Sequence, residues 1–294
     1  MGEKDISEKL LADYEDVFAD IVNVLLFHGI QRVHPEALQS SKTISHYKAD
    51  DTKLHEQERD ILKSWIDGGI QIALIGLEHQ TEPEKQMTVR VIGYEGANYR
   101  SQLGQEPITP VITLVLYFGT EKHWNYPRNL KELMHIPNEL DPYVNNYQIH
   151  VFEIAWLPEW QIELFQSDFR VVARYFSEKR KNKNYIPHDK TTLKHVDAVL
   201  KLLAVMSGDH RYESILANSE PKGMVKTMDE ALTKAINEEA ARMRPQWIVE
   251  GQIKILVSLC RSGNISAEIA ADQLNISTDE FRKYLEKDAA TAES

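Results

Sequence analysis

The sequence contains very little cysteine and no long apolar run. The single cysteine, Cys260, excludes an internal disulfide framework and a cysteine-rich zinc site, and it is typical of a reducing compartment. No apolar stretch approaches the ~20 residues that span a bilayer. The charged N-terminus is not followed by the apolar core of a signal peptide. We therefore expect a cytoplasmic protein that does not enter a membrane.

Sequence motifs for nucleotides and zinc are also absent. There is no glycine-rich phosphate loop, so no nucleotide cofactor is expected. No histidine pair at helical spacing stands near an acid, so a zinc hydrolase is unsupported. The 34 Lys and Arg residues are outnumbered by 45 Asp and Glu residues, for a net charge of −11. That balance argues against a protein that coats nucleic acid with its whole surface, although it allows a local basic groove.

The hydrophobic pattern predicts an α/β fold. Hydrophobic residues make up 42% of the 294 residues, enough for a substantial core. Periodicity predicts these elements: a helix from Ile6 to about Phe27, one short strand and a loop within 31–59, a hairpin of strands 60–66 and 70–77 turning at Asp67-Gly68-Gly69, a helix from Met87 to Leu103, strands 110–119 and 148–155, and mostly helices beyond 158. This order suits a mixed central sheet flanked by helices.

The back half of the chain suggests two additions to that core. We expect a main domain over residues 1–175, a helical extension over 176–245 and a small helical C-terminal module over 246–294. Within the last, residues 249–285 predict three short helices with a turn at Ser262-Gly263-Asn264 and a capping box at Ser277-Thr278-Asp279-Glu280. Helix-turn-helix DNA reading is one interpretation. The excess of acids favours a packing or self-association module.

A basic segment lies between Arg170 and Lys194, where eight Lys and Arg residues stand against two acids. Its densest part comprises Lys179, Arg180, Lys181 and Lys183. Such a run is either a solvated helix end or a strip that contacts the phosphate backbone of DNA. The sequence leaves both interpretations open.

Two carboxylates near strand ends form the candidate site. Glu78 closes the apolar run 70–77, and Asp60 stands at the neighbouring strand. Converging acids repel each other without a cation, and hard oxygen ligands select Mg²⁺ or Mn²⁺. Because strand side chains alternate, Glu78 and Gln80 share a face and can flank one ion and one water, while the carbonyl of His79 supplies a third ligand. On spacing alone, ordinary surface carboxylates are the favoured explanation of the pattern.

The motifs around these acids resemble those of the recombination-promoting nuclease/putative transposase family. The resemblance covers roughly residues 10–175 and rests on these stretches: Glu78-His79-Gln80-Thr81, Met87-Thr88-Val89-Arg90 with Tyr94, Pro110-Val111 with Leu116-Tyr117-Phe118-Gly119 and Trp124, and, for a branch found in anaerobic Gram-positive bacteria, 18–23 and 167–170. It implies a PD-(D/E)XK core, the restriction-endonuclease-like fold, and Mg²⁺-dependent (or Mn²⁺-dependent) cleavage of DNA.

The resemblance also implies roles for individual residues. Asp60 and Glu78 take the positions of the two catalytic, metal-binding carboxylates, together with the carbonyl of His79. Gln80 takes the position usually held by lysine, so we expect a slower enzyme or one that depends more on the metal. Arg59 stands where proline is usual. A catalytically inactive nuclease-fold protein, acting as a DNA-associated or protein-interaction module, is the alternative.

Two further residues have open roles. Asp20, on the first predicted helix, could complete the metal shell through water, or it could be a surface or capping acid. Arg90 could contact the scissile phosphate, or it could pair with Glu78 when no metal is bound. DNA is the expected partner, and the sequence does not decide whether the chain forms a homo-oligomer.

Overall fold

A computed structural model describes residues 11–41, 44–48, 54–58, 60–183, 185, 187, 189–207, 227, 230, 251–274 and 276–292. The chain divides into two compact units, Met1–Leu232 and Thr233–Ser294. The sequence-based division at residues 175 and 245 stays a prediction. In the described part of the chain, every helix is too short or too polar to cross a bilayer.

The first unit contains seven named strands and five named helices in its described residues. The strands are β1 Leu38–Ser40, β2 Ile44–Lys48, β3 Leu54–Glu58, β4 Ile61–Asp67, β5 Ile70–Gln80, β6 Val111–Tyr117 and β7 His150–Glu153. The helices are α1 Glu15–Phe27, α2 Met87–Ser101, α3 Glu159–Ile162, α4 Phe169–Lys181 and α5 Val196–Ser207. Short 3-10 turns connect several of them.

Five strands form one mixed sheet in the order β1-β4-β5-β6-β7. The pairs β1–β4 and β4–β5 are antiparallel, whereas β5–β6 and β6–β7 are parallel. The carboxyl ends of β5, β6 and β7 therefore lie at the same edge of the sheet. This architecture confirms the predicted α/β class with a mixed sheet flanked by helices, and it is compatible with a nuclease-like fold.

The hairpin turn between β4 and β5 follows directly from its sequence. Gly68 and Gly69 have φ of 56° and 82°, the left-handed values that a two-residue hairpin turn of the primed type requires. Glycine adopts them without steric cost. The prediction of a hairpin at Asp67-Gly68-Gly69 is confirmed.

Helices cover both faces of the sheet. On one face, Met87 and Val91 of α2 pack against Val115 and Tyr117 of β6. On the other, Phe118 contacts the rings of Phe169 and Phe176 of α4 at centroid distances of 6.3 and 5.2 Å. Strand β6 is thus buried on both sides, as its unbroken apolar run predicts.

Three predicted features differ from the structure. The region 31–59 holds three strands rather than one, since β2 and β3 pair with each other as a separate two-stranded sheet. Their polar sequences give no alternating apolar pattern to detect. The first helix is interrupted at residues 13–14 before α1 begins at Glu15, and Tyr14 is extended at ψ 132°. Asp60 lies one residue before β4, not within it.

The second unit, in its described residues, is a group of three helices: 251–261, α6 Ala267–Leu274 and α7 Thr278–Ala292. Their core includes Leu256, Val257 and Phe281. Gly263 has φ of 72° at the predicted turn. The hydroxyl of Ser277 accepts a hydrogen bond from the N–H of Glu280 at 3.2 Å, which caps α7. The predicted helices, turn and cap are confirmed.

Candidate active site

Asp60 lies one residue before β4, and Glu78 lies in the adjacent strand β5. Ile61 pairs with Leu77 in the antiparallel ladder, so the two acids are the next residues beyond this last registered pair. Residues opposed across such a ladder have Cβ atoms ~5 Å apart. The side chain of Asp60 is 21% exposed and that of Glu78 only 1%. The two carboxylates thus flank the carboxyl end of β5.

Asp60 is fixed against the strand that carries Glu78. Its Oδ2 accepts a hydrogen bond from the backbone N–H of His79 at 2.8 Å. Nδ1 of the His79 ring lies 3.5 Å from the same oxygen. The His79 ring is buried and stacks on Phe118 at a centroid distance of 5.9 Å. The side chain of His79 therefore has a packing role, while its peptide unit is part of the site.

Glu78 pairs with Arg90 from α2. The guanidinium Nη2 lies 3.4 Å from Oε2 of Glu78 and donates to the hydroxyl of Tyr94 at 2.9 Å. Its Nη1 donates to Glu84 at 2.5 Å. Of the two alternatives for Arg90, the structure shows the ion pair with Glu78. A charge as buried as Glu78 needs such a counter-charge.

Tyr94 lies on α2 within the electrostatic influence of both acids. Burial raises the pKa of Tyr94 to about 12, and the negative charges of Glu78 and Asp60 add to the rise. Arg90 works in the opposite direction. Tyr94 is buried at 3% exposure. It is a core-edge aromatic beside the site, as its position on the helix predicts.

Gln80 ends β5 beside a cavity of about 280 Å³. It is paired in parallel register with Tyr117 of β6, and its carbonyl accepts a hydrogen bond from the N–H of Phe118 at 2.8 Å. The cavity begins at Thr81 and is also lined by Gly119 and Lys179. The wall of the cavity therefore starts at the residue after Gln80 and does not include Gln80 itself.

The ring of Tyr117 supports the loop that walls the cavity. Its hydroxyl donates to the carbonyl of Lys122 at 2.9 Å. A Cβ at Gly119 would overlap the Oη and Cζ atoms of Tyr117, so this close approach requires glycine. Burial raises the pKa of Tyr117 to about 12, with contributions from Glu82 and Glu153.

Asp20 lies on α1 and is buried against the segment that precedes α4. Its Oδ2 accepts backbone hydrogen bonds from Gln166 at 2.9 Å and Ser167 at 2.7 Å. Burial raises its pKa although these donors oppose the rise. Its Oδ1 has no hydrogen-bond partner among the described residues. Asp20 thus joins two distant segments, and its role in a metal shell stays a prediction.

The four cations in the densest part of the basic segment make contacts within the protein. The amine of Lys179 lies 3.3 Å from the hydroxyl of Tyr175, and Arg180 donates to the carbonyl of Ala155 at 2.9 Å. Lys181 pairs with Glu178 at 2.5 Å and Lys183 with Glu121 at 2.8 Å. Three of the four lie in the last turn of α4, where cations complement the helix dipole. Their contact with DNA stays a prediction.

Two polar residues near the site have roles that the sequence pattern did not indicate. Glu84 shares the Arg90 guanidinium with Glu78. Lys63 on β4 is 1% exposed, and its amine lies 3.0 Å from Asp13 and 3.3 Å from Glu15. The sequence feature that could have indicated the burial of Lys63 is its position within a strand whose other residues are mostly apolar.

A metal would have few protein ligands here. Within the described residues, no group of three His, Cys, Asp or Glu side chains is arranged to hold a metal ion. The candidate donors are two carboxylates and one backbone carbonyl. They contribute only two side chains, so they do not form a group of three. Oxygen donors of this kind suit Mg²⁺ and Mn²⁺, which complete their shell with water and substrate phosphate.

A family model described as "Putative transposase, YhgA-like" matches residues 51–201, just over half of the chain. The chain belongs to this family. The match confirms the resemblance seen in the sequence. Asp60, Glu78, Gln80 and Arg90 all lie inside the YhgA-like region, whereas Asp20 and the second unit lie outside it. No curated protein and no solved structure matches the chain.

Proposed function

We propose that this YhgA-like protein is a divalent-metal-dependent DNA endonuclease with a PD-(D/E)XK core. One observation carries the proposal: Asp60, just before β4, and Glu78, in the adjacent strand β5, come directly after the last registered pair of the β4–β5 ladder, and a cationic side chain compensates Glu78. The mixed sheet with helices on both faces supports the fold assignment. The family match supports an activity on DNA.

The chemistry of the donors fits a divalent cation. Glu78 is 1% exposed, and a carboxylate that deep is costly unless a positive charge stands beside it. Arg90 supplies that charge, so a cation at Glu78 would replace Arg90 rather than add to it. Asp60, Glu78 and the carbonyl of His79 would hold it. Mg²⁺ or Mn²⁺ there supplies Lewis-acid polarisation of the phosphodiester and lowers the pKa of bound water.

Residues of this chain would perform the remaining steps. Gln80 shares the face of Glu78, and its side-chain amide would orient the attacking water by hydrogen bonding. Arg90 is 37% exposed, so it can leave Glu78 and bind a phosphate oxygen of the substrate through its guanidinium fork. The arginine would thus exchange one anion for another as the substrate binds.

The test is cleavage of supercoiled plasmid across Mg²⁺, Mn²⁺ and EDTA. Asp60→Asn and Glu78→Gln are expected to lower the rate by roughly 100-fold or more with the fold retained. Glu139→Gln, at an exposed glutamate on the β6–β7 connection, is the matched control and should cleave like the wild type. Unchanged Mg²⁺-dependent nicking by both site variants would refute the proposal.

A catalytically inactive nuclease-fold protein is the second candidate. Two observations favour it: Gln80 supplies no positive charge where lysine is usual, and the chain has a net charge of −11. Such a protein would serve as a DNA-associated or protein-interaction module. Calorimetric titration with Mn²⁺ separates the candidates, because an inactive core should show no binding that is lost in Glu78→Gln.

A further inference from the structure

We infer that Arg128, on the connection between β6 and β7, binds a second phosphate of the DNA strand and is held in place by Glu153. This inference rests on the proposed nuclease function and names a substrate contact that the family motifs do not include. It concerns the positioning of DNA, not the cleavage step.

Arg128 is placed by a row of residues that crosses the sheet. Gln80 of β5 pairs with Tyr117 of β6, which in turn pairs with Glu153 of β7. Neighbouring strands lie ~4.8 Å apart, so the backbones of Gln80 and Glu153 are about 10 Å apart at the same edge. Nη2 of Arg128 lies 2.6 Å from Oε1 of Glu153. A DNA strand at Gln80 would therefore pass close to Arg128.

The carboxylate of Glu153 is mostly buried and contacts neighbouring protein groups. Its side chain is 18% exposed, and Oε2 contacts Nδ1 of His123 at 2.8 Å and the backbone N–H of Trp124 at 3.1 Å. Arg128 also donates to the carbonyl of Val151 at 3.4 Å. The guanidinium has five N–H donors, and its side chain is 39% exposed. A fixed, half-exposed guanidinium fork is well suited to a phosphate.

The same connection is joined to the helix that carries Arg90. The hydroxyl of Thr88 in α2 donates to the carbonyl of Pro127 at 3.2 Å, one residue before Arg128. Trp124 is buried against Met87 at the start of α2. Arg90 and Arg128 therefore flank the edge of the sheet on connected elements, one near Glu78 and the other near Glu153.

The alternative is that Arg128 only fastens the connection to β7, and two variants separate the two roles. Arg128→Gln should lower the affinity for a short labelled DNA duplex in EDTA roughly tenfold at low salt. It should also reduce the slope of log affinity against log salt by about one. Glu153→Gln should hold or raise that affinity, because the amide oxygen of glutamine still accepts a hydrogen bond from Arg128 while the anion beside the phosphate is removed. Both variants break the same ion pair, so both should lower Tm.

The matched control is Arg100→Gln, which removes an exposed arginine at the far end of α2 and should leave the slope unchanged. An unchanged slope in Arg128→Gln, or equal losses of affinity in Arg128→Gln and Glu153→Gln, would overturn the inference. So would a wild-type protein that does not bind the duplex. EDTA prevents metal-dependent cleavage during the measurement. A slope that falls in a protein without nuclease activity would therefore support Arg128 and refute the nuclease proposal alone.

Discussion

Replacing Arg90 by glutamine should destabilise the metal-free protein and make it more responsive to Mn²⁺. The change removes the guanidinium that lies 3.4 Å from the buried carboxylate of Glu78. It also removes the donor to the hydroxyl of Tyr94 at 2.9 Å. Glutamine keeps a polar side chain of intermediate length, so the helix itself is little disturbed.

The size of the effect follows from burial on the two sides of the pair. Removing one partner of a buried ion pair costs ~3–5 kcal/mol. Arg90 is 37% exposed, whereas Glu78 is 1% exposed, so solvent already weakens the pair and we expect about 2 kcal/mol. A cation at 100 times its dissociation constant stabilises the folded state by about 2.7 kcal/mol. Saturating Mn²⁺ should therefore offset the loss.

Thermal unfolding in EDTA and in Mn²⁺ measures both numbers. In EDTA, Arg90→Gln should lower Tm by roughly 4–8 °C for a unit of this size. In Mn²⁺ its Tm should rise by more than that of the wild type, in which the cation must first displace Arg90. Arg100→Gln, at the other end of α2, is the control for loss of a positive charge.

Two results would refute the reasoning. If Arg90→Gln is as stable as the wild type in EDTA, then the guanidinium does not compensate Glu78. If Mn²⁺ raises the Tm of both proteins equally, then cation and arginine do not compete for the same carboxylate. The second result would also weaken the proposed metal site.

Three other predictions concern stability. Lys63→Ala should lower the free energy of unfolding by about 2.4 kcal/mol because the three buried methylenes beyond Cβ lose their packing, at ~0.8 kcal/mol each. Lys63→Met should lower the free energy of unfolding by less than about 1 kcal/mol, since Asp13 and Glu15 are half-exposed and are solvated by water in the variant. If urea unfolding shows equal losses for the Ala and Met variants, then the ion pairs dominate. Gly119→Ala should displace the ring of Tyr117 and cost at least ~1–3 kcal/mol, visible as a lower Tm, whereas a wild-type Tm would contradict the overlap. The pKa of Asp20 is raised in the folded state, so its contribution to stability is fully present below pH 3.8 and is lost as the pH rises through the raised pKa. Asp20→Asn should therefore flatten the dependence of the free energy of unfolding on pH, and an unchanged slope would argue against it.

The sequence predicted those elements that depend on residues close together in the chain. The turn Gly68-Gly69 requires left-handed backbone that glycine supplies, and the unbroken apolar run of β6 requires cover on both faces. Strand alternation placed Glu78 and Gln80 together and turned His79 away. These features depend on residues within a few positions of one another, so one sequence is enough to find them.

Long-range contacts were beyond that reasoning. Asp20 accepts hydrogen bonds from residues almost 150 positions later in the chain, a pairing that periodicity does not encode. The pairing of Arg90 with Glu78 depends on how α2 packs against β6, the strand next to β5. The burial of Lys63 depends on its contacts with Glu15 and Phe18 of α1. The hairpin of β2 and β3 was missed for a local reason, since its polar strands carry no alternating apolar pattern.

The shared edge of β5, β6 and β7 has a consequence for how such proteins diverge. The segments that leave this edge run over the surface, while the ladders behind them are fixed by backbone pairing. Under the proposed nuclease function, a change in the length or sequence of the stretch between Tyr117 and His150 would alter which nucleic acid is bound without moving Asp60 and Glu78. Relatives with that function would then differ in target while sharing one framework for hydrolysis.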